Sequence, residues 1–394
     1  MKKENFQEQQ LSLFPEKNSI KNSKEISKGD ILEFRIQRLL FYMGYFTKRG
    51  VIMKTSADDW ADEITDLDAY GIYIHKDFSA KRIWADCKSG KAKPLERISW
   101  IKGIRSSVKI DDVIFVKGGV RVNTKQFARK SGILVLDNEI IYKLEKDFGI
   151  EEDDWRGSWD YKTQNKNINK LKKIVGYNGE ELKYIAQFIE SNYWIFDYYA
   201  RIKKCITGLR QLFDVYEVAK EEQQYILKWA IYELITLLIL ATLNICRDVY
   251  YLSENDRKIM INDGMISGEI SAKKRAELVD ATYKMAIGLV KEQIPDFKPS
   301  KLNLNVSINA PEYCEKFIDL VNRITNEPLK YFDILRIIDF LLMEYELKGS
   351  DINENELQKL FNNYNEIRGG IKTLLHFICD VCKIPISFFE FIKK

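Results

Sequence analysis

The sequence predicts a mixed α/β domain followed by a mainly α-helical one, and three observations carry that prediction. Between residues 50 and 139, short apolar runs with period-two alternation recur between helix-like stretches. Near residue 150 the composition shifts to a charged, Asn/Lys-rich and weakly periodic stretch, EEDDWRGSWDYKTQNKNINKLKK. Beyond it almost every segment has helical spacing. The chain's 394 residues, 45% hydrophobic and 30% charged, suit about two globular domains. The expected division is a polar tail over 1–29, an α/β domain over 30–150, a linker over 151–178 and a helical domain over 179–394.

The α/β domain opens with GDILEFRIQRLLFYMGYF, whose Leu32, Ile36, Leu39, Leu40 and Met43 form one helical face. Asp30 is the expected N-cap and Gly44 the stop. GVIMKTS, DLDAYGIYI and RIWADCKS follow as three strands. PLERISWIKGIRSSV reads as a helix opened by Pro94, DVIFVKG as a buried strand, NTKQFARKSG as a short helix capped by Asn123, and ILVLDNE as a closing strand. In the second domain, residues 229–246 are apolar enough to test as a membrane span. Glu233, Thr236, Thr242 and Asn244 interrupt them, so a central buried helix of a bundle is expected, with no membrane partner. PDFKPSKLNLNVSINAP, over 295–311, is the one extended interruption.

Charge and rare residues bound the chemistry. Residues 81–130 hold 14 Lys/Arg against 4 Asp/Glu, a basic stretch beside an acidic cluster. That layout suits a phosphate backbone steered toward bound cations, although a solvated Lys-rich surface has the same composition. Lys81, Arg82, Lys91, Lys93, Arg97, Lys102 and Arg105 are the candidate phosphate contacts. The six cysteines form no disulfide framework, which reads as a reduced, cytoplasmic protein. In HFICDVC, residues His376, Cys379 and Cys382 recur every third position with no second cluster to complete a metal site, so a buried helix face is expected. The chain's only other histidine is His75, which argues against His-centred hydrolysis. No Gly-rich phosphate loop or nucleophile elbow is present.

The informative stretch is TDLDAYGIYIHKDFSAKRIWADCKSGKAK. Asp66 and Asp68 open one strand, while Asp86 and Lys88 close the next. Alternation places each pair on a common face. Charges on a half-buried strand need a partner, water or a metal. Two or three carboxylates at a strand end can hold a divalent cation and leave positions for water and a phosphate oxygen. Spacing alone does not choose between Asp66 and Asp68.

Taken in order, Glu33 on the first helix, Asp68 in LDAYG and DCK (Asp86, Cys87, Lys88) resemble the PD-(D/E)XK nuclease superfamily, the restriction-endonuclease-like fold, in the group typified by Mrr-type enzymes and archaeal Holliday-junction resolvases. NTKQFARKSGILVLDNEII resembles the later helix and strand of that group. The likeness covers about residues 28–145. It implies a metal-dependent DNA endonuclease with Mg²⁺ or Mn²⁺ on Asp68 and Asp86, Glu33 in support and Lys88 at the attacking water. The glutamine that the Mrr-type helix would supply after Lys88 is missing, and Glu96, Ser99 or Trp100 stands nearby instead.

In the tail, QLSLF resembles the peptide by which bacterial replication and repair proteins dock on the sliding clamp. Gln10, Leu11, Leu13 and Phe14 would make that contact, or the three apolar side chains would dock on the chain's own α/β domain. Restriction or anti-phage defence and clamp-linked repair are the roles these likenesses imply, with a homodimer or defence-system partner in the helical domain. The rivals are a catalytically inactive or partner-gated DNA-binding module, and a ribonuclease.

Overall fold

A computed structural model describes residues 27–56, 58, 60–176, 179–268, 272–294, 297, 309–351 and 353–393. The QLSLF segment and nearly all of the extended stretch expected over 295–311 lie outside the described residues.

The N-terminal region is a five-stranded sheet with helices, and the remainder of the described chain is mostly helical. Helix α1 (Lys28–Tyr42) is capped by Ser27, whose hydroxyl accepts the Asp30 N–H at 3.1 Å and donates to the Asp30 carboxylate at 2.6 Å. The cap therefore sits three residues ahead of Asp30, which fills the reciprocal first-turn position instead. The helix ends just before Gly44, whose φ of 97° lets the chain reverse into the sheet. Strands β1 (Phe46–Lys54), β2 (Glu63–Ile74) and β3 (Ala80–Cys87) form an antiparallel meander. Helix α2 (Pro94–Ser107) then crosses to β4 (Asp112–Val116), and α3 (Val122–Lys130) to β5 (Ile133–Leu136), both strands parallel to β3. The sheet order is β1-β2-β3-β4-β5. Asn123 lies inside α3, which starts after Arg121 without a side-chain cap. A further helix, α4 (Asn138–Asp147), follows β5 and is capped by Asp137.

Period-two alternation splits the sheet into two faces. Ile83, Ala85, Cys87, Ile114 and Val116 pack with Ile36 and Leu40 of α1 and Ile141 of α4. Trp84, Val113 and Phe115 face the other way, joining Ile98 and Ile101 of α2 in a core that runs without interruption into the helical region.

The stretch expected as a linker is packed instead. After a turn of 3-10 helix (Gly157–Trp159), α5 (Tyr161–Leu171) begins under an Asp160 cap. Trp159 is fully buried, its ring 4.3 Å from that of Phe41 and stacked 5.6 Å from that of Phe340. Arg38, 2% exposed, donates to the carbonyls of Glu151 and Asp154, tying α1 to this crossing. Ahead of α5 the crossing is held by these side-chain anchors, and within α5 by Leu171 and Ile168, which pack into the core.

Next come α6 (Lys183–Glu190), α7 (Tyr198–Val218), α8 (Glu221–Val249), α9 (Glu254–Ser267), α10 (Ala272–Gln293), α11 (Cys314–Asn326), α12 (Ile334–Phe340), α13 (Glu354–Leu360) and α14 (Tyr364–Cys382). The apolar run expected as a central helix is α8. It is long and apolar enough to cross a membrane, yet 94% of its most apolar window is buried inside the molecule. Glu233 within it is 4% exposed and accepts from Lys48 Nζ of β1 at 2.7 Å, with Asp339 of α12 3.4 Å from the same ammonium. In α14, Cys379 and Cys382 are buried as expected of a core face, whereas His376 is exposed and stands outside it.

Candidate active site

The β2–β3 ladder ends at the pair Ala69↔Ala85. Asp68 and Asp86 are the next residue on each strand, so both stand where the two strands part. β3 still pairs with β4 there, through Asp86↔Phe115 and Cys87↔Val116. Lys88 N–H donates to the Val116 carbonyl, so by alternation Cys87 N–H faces β2, where it has lost a ladder partner. Asp68 replaces that partner: its Oδ2 accepts the Cys87 N–H at 2.7 Å. The fork thus has a local cause, a carboxylate standing in for a strand.

Lys88 joins the two acids. Its Nζ lies 3.0 Å from Asp68 Oδ2 and 3.3 Å from Asp86 Oδ1. Asp86 is fully buried and Asp68 is 4% exposed. Burial pushes the Asp68 carboxyl above its usual range, against the pull of Lys88. For Lys88, burial disfavours the charge, but Asp86 and Asp68 outweigh it and hold the ammonium above its ordinary value. Cys87 is buried with its thiol raised well above the usual range by desolvation and the surrounding carboxylates, which makes it an inert wall.

Asp66 is exposed and stands apart from this cluster. The expected common face with Asp68 fails because alternation breaks between them: Leu67 packs with Tyr70 and Ile72, whereas Ala69 packs toward α1. Asp68 is therefore the acid that meets Asp86 and Lys88.

Glu33 approaches from α1. Arg49 of β1 donates to Glu33 Oε2 at 2.6 Å and to Asp30 Oδ1 at 3.0 Å. Burial pushes the Glu33 carboxyl up to about 7; Arg49 opposes the shift and the nearby Asp68 charge adds to it. Glu33 thus feels Asp68 directly and titrates close to neutrality.

Helix α2 supplies the cation that the sequence assigned elsewhere. Arg97, read as a phosphate contact, clamps Asp86, with Nε to Oδ2 at 2.9 Å and Nη2 to Oδ1 at 2.5 Å. Its guanidinium lies 3.6 Å from the centroid of the Trp100 ring. Glu96 and Ser99 turn away, Glu96 to Lys93 and the Ser99 hydroxyl to the Leu95 carbonyl. Arg105 is also occupied internally, donating to the carbonyls of Ile110 and Gly132. Lys81 pairs with Asp112 at 2.6 Å, and the Arg82 backbone N–H donates to Asp111. Lys91, Lys93 and Lys102 are exposed, on the loop after Lys88 and along α2. The sequence missed Arg49 and the inward turn of Arg97; the only trace was a cation spaced to share a helix face with Trp100 and Lys93.

The donor set suits a hard divalent cation. All its candidate ligands are carboxylate oxygens, and Mg²⁺ typically takes one or two of them with waters and a phosphate oxygen. Among the described residues no three His, Cys, Asp or Glu side chains gather into one metal cage. The buried pair Asp68 and Asp86 fits that smaller demand, with Glu33 behind it. No protein-family model, curated protein or solved structure matches this chain.

Proposed function

We propose that the chain is a metal-dependent DNA endonuclease of the PD-(D/E)XK type. The observation that carries this reading is the buried pair Asp68 and Asp86 at the fork of β2 and β3, spanned by the Lys88 ammonium. Asp68 and Asp86 would hold Mg²⁺ or Mn²⁺, which would supply charge neutralisation at the scissile phosphate and lower the pKa of water. Lys88 orients the attacking water and offsets charge on phosphorus. Glu33 tunes the charge behind Asp68. Exposed Lys91, Lys93 and Lys102 meet backbone phosphates without reading sequence.

The test compares wild type with Asp68→Asn and Lys88→Ala on supercoiled, linear, branched and RNA substrates, with Mg²⁺, Mn²⁺ or chelator. Metal-dependent cutting should fall by about a hundredfold or more in both variants, while binding to uncut DNA persists. Undiminished cutting in both variants sinks the site.

One observation favours a second reading, a gated or inactive DNA-binding module. Arg97 donates to both oxygens of Asp86, so it competes with any cation held there. Under this reading wild type is silent, and Arg97→Gln or a partner on the helical region unlocks it. We further assign the chain to the cytoplasm, to host defence first and to clamp-linked repair second. For the latter, deleting residues 10–14 should abolish capture by the purified sliding clamp.

A further inference from the structure

We propose that a cavity enclosed by α1, β1, α5, α6 and α8 is a binding site for a neutral, planar nitrogen heterocycle of nucleobase size. Its volume is about 240 Å³, below that of pockets for drug-sized ligands, so it suits one ring system rather than a whole nucleotide. Phe34, Trp194 and Trp229 contribute to its wall, and aromatic rings are the common stacking partners of heterocycles. The Trp229 ring is fixed in place, since its N–H donates to Gln164 Oε1 at 2.8 Å.

Two unpaired polar atoms point to a ligand with hydrogen-bond donors. Gln37 and Ser158, only 2% and 4% exposed, both line the cavity. The Gln37 amide nitrogen donates to the Ser158 carbonyl at 3.2 Å, and this leaves Gln37 Oε1 and Ser158 Oγ without partners. Buried oxygens in that state are unfavourable, and a ring N–H or amino group relieves them.

The ions of the wall are compensated within the protein. Lys48 faces Glu233 and Asp339, Arg49 faces Asp30 and Glu33, and Glu190 faces Lys172. A charged ligand would have to displace one of these pairs, whereas a neutral one leaves them intact. Arg49 and Glu190, each about a fifth to a quarter exposed, mark the solvent side. The cavity also borders the candidate active site. Gln37 lies one helical turn from Glu33, and Arg49, which lines the cavity, pairs with Glu33.

Such a ring can arrive as a free nucleoside or as an unstacked base of a strand, and the experiment separates the two. Full-length protein is titrated with adenosine, guanosine, cytidine and uridine, and in parallel with a single-stranded oligonucleotide and its abasic counterpart. Tryptophan fluorescence and the unfolding midpoint are followed in every arm. At least one nucleoside, or the oligonucleotide but not its abasic form, should quench fluorescence and raise the midpoint. Gln37→Leu should weaken that binding about tenfold, and Leu237→Phe, which fills the cavity from α8, should abolish it. No response to any probe at millimolar concentration overturns the proposal, as does undiminished binding in both variants. Binding rather than cleavage is read, so failure here leaves the nuclease reading standing, and the reverse holds too.

Discussion

At the scale of single residues, the candidate site is a set of carboxylates held under strain by burial and answered by three cations. Glu33 is the most sensitive member because its carboxyl sits near 7, not near the ordinary 4.5. A carboxyl raised on folding adds stability that is complete below the unfolded value and is lost as pH climbs through the folded one. Wild type should therefore lose stability relative to Glu33→Gln between about pH 4.5 and 7. The relative loss should approach about 3.5 kcal/mol, at about 1.4 kcal/mol for each pH unit between those two values. Denaturant melts of both proteins at pH 4, 5.5, 7 and 8.5 check this, and a pH-independent difference would remove the charge argument. The acid-x-lysine pattern of Asp86 and Lys88 was legible because a two-residue step returns to the same strand face. Arg97 was not legible as a partner of Asp86. A cation on a helix in a basic stretch has the same local signature whether it turns to DNA or to its own sheet.

At the scale of elements, the meander places α1 and the acids on one another through close contacts at its middle strand. Gly71 is the tightest of these. A Cβ added there would lie 2.7 Å from Ile83 Cγ2 across the ladder and 3.1 Å from Tyr45 Cβ. Gly71→Ala should destabilise the protein by about 1 to 3 kcal/mol, and adding Ile83→Ala should recover part of the loss. Chemical denaturation of the single and double variants measures it. All five strands and the first three helices were legible from alternation and turn residues. The helix after β5 was not, because its first residues, Asn138 and Glu139, directly follow the strand and read as its end. Caps were legible only in kind. Ser27 took the role expected of Asp30, since either side chain can close the first turn.

At the scale of the whole molecule, the sheet and helices share one core, joined by a buried ionic contact. Lys48, Glu233 and Asp339 are 8%, 4% and 1% exposed, and they bring β1, α8 and α12 together. Replacing Lys48 leaves two acids buried without their cation, so Lys48→Met should cost about 3 to 5 kcal/mol. Glu233→Gln in that background should restore part of it. An unchanged unfolding midpoint for Lys48→Met would show that the contact contributes nothing net. Local pattern alone specified the order of the five strands and the first three helices, the burial of α8 and the shared face of Asp86 and Lys88. These follow from local periodicity, which each segment carries within itself. Packing between distant segments settled the rest: residues 151–171 form a packed crossing, Glu233 answers Lys48, Asp68 rather than Asp66 faces Asp86, and Arg97 closes on Asp86. Each of these depends on which distant side chain arrives at a given face, and a chain's local pattern holds no record of that.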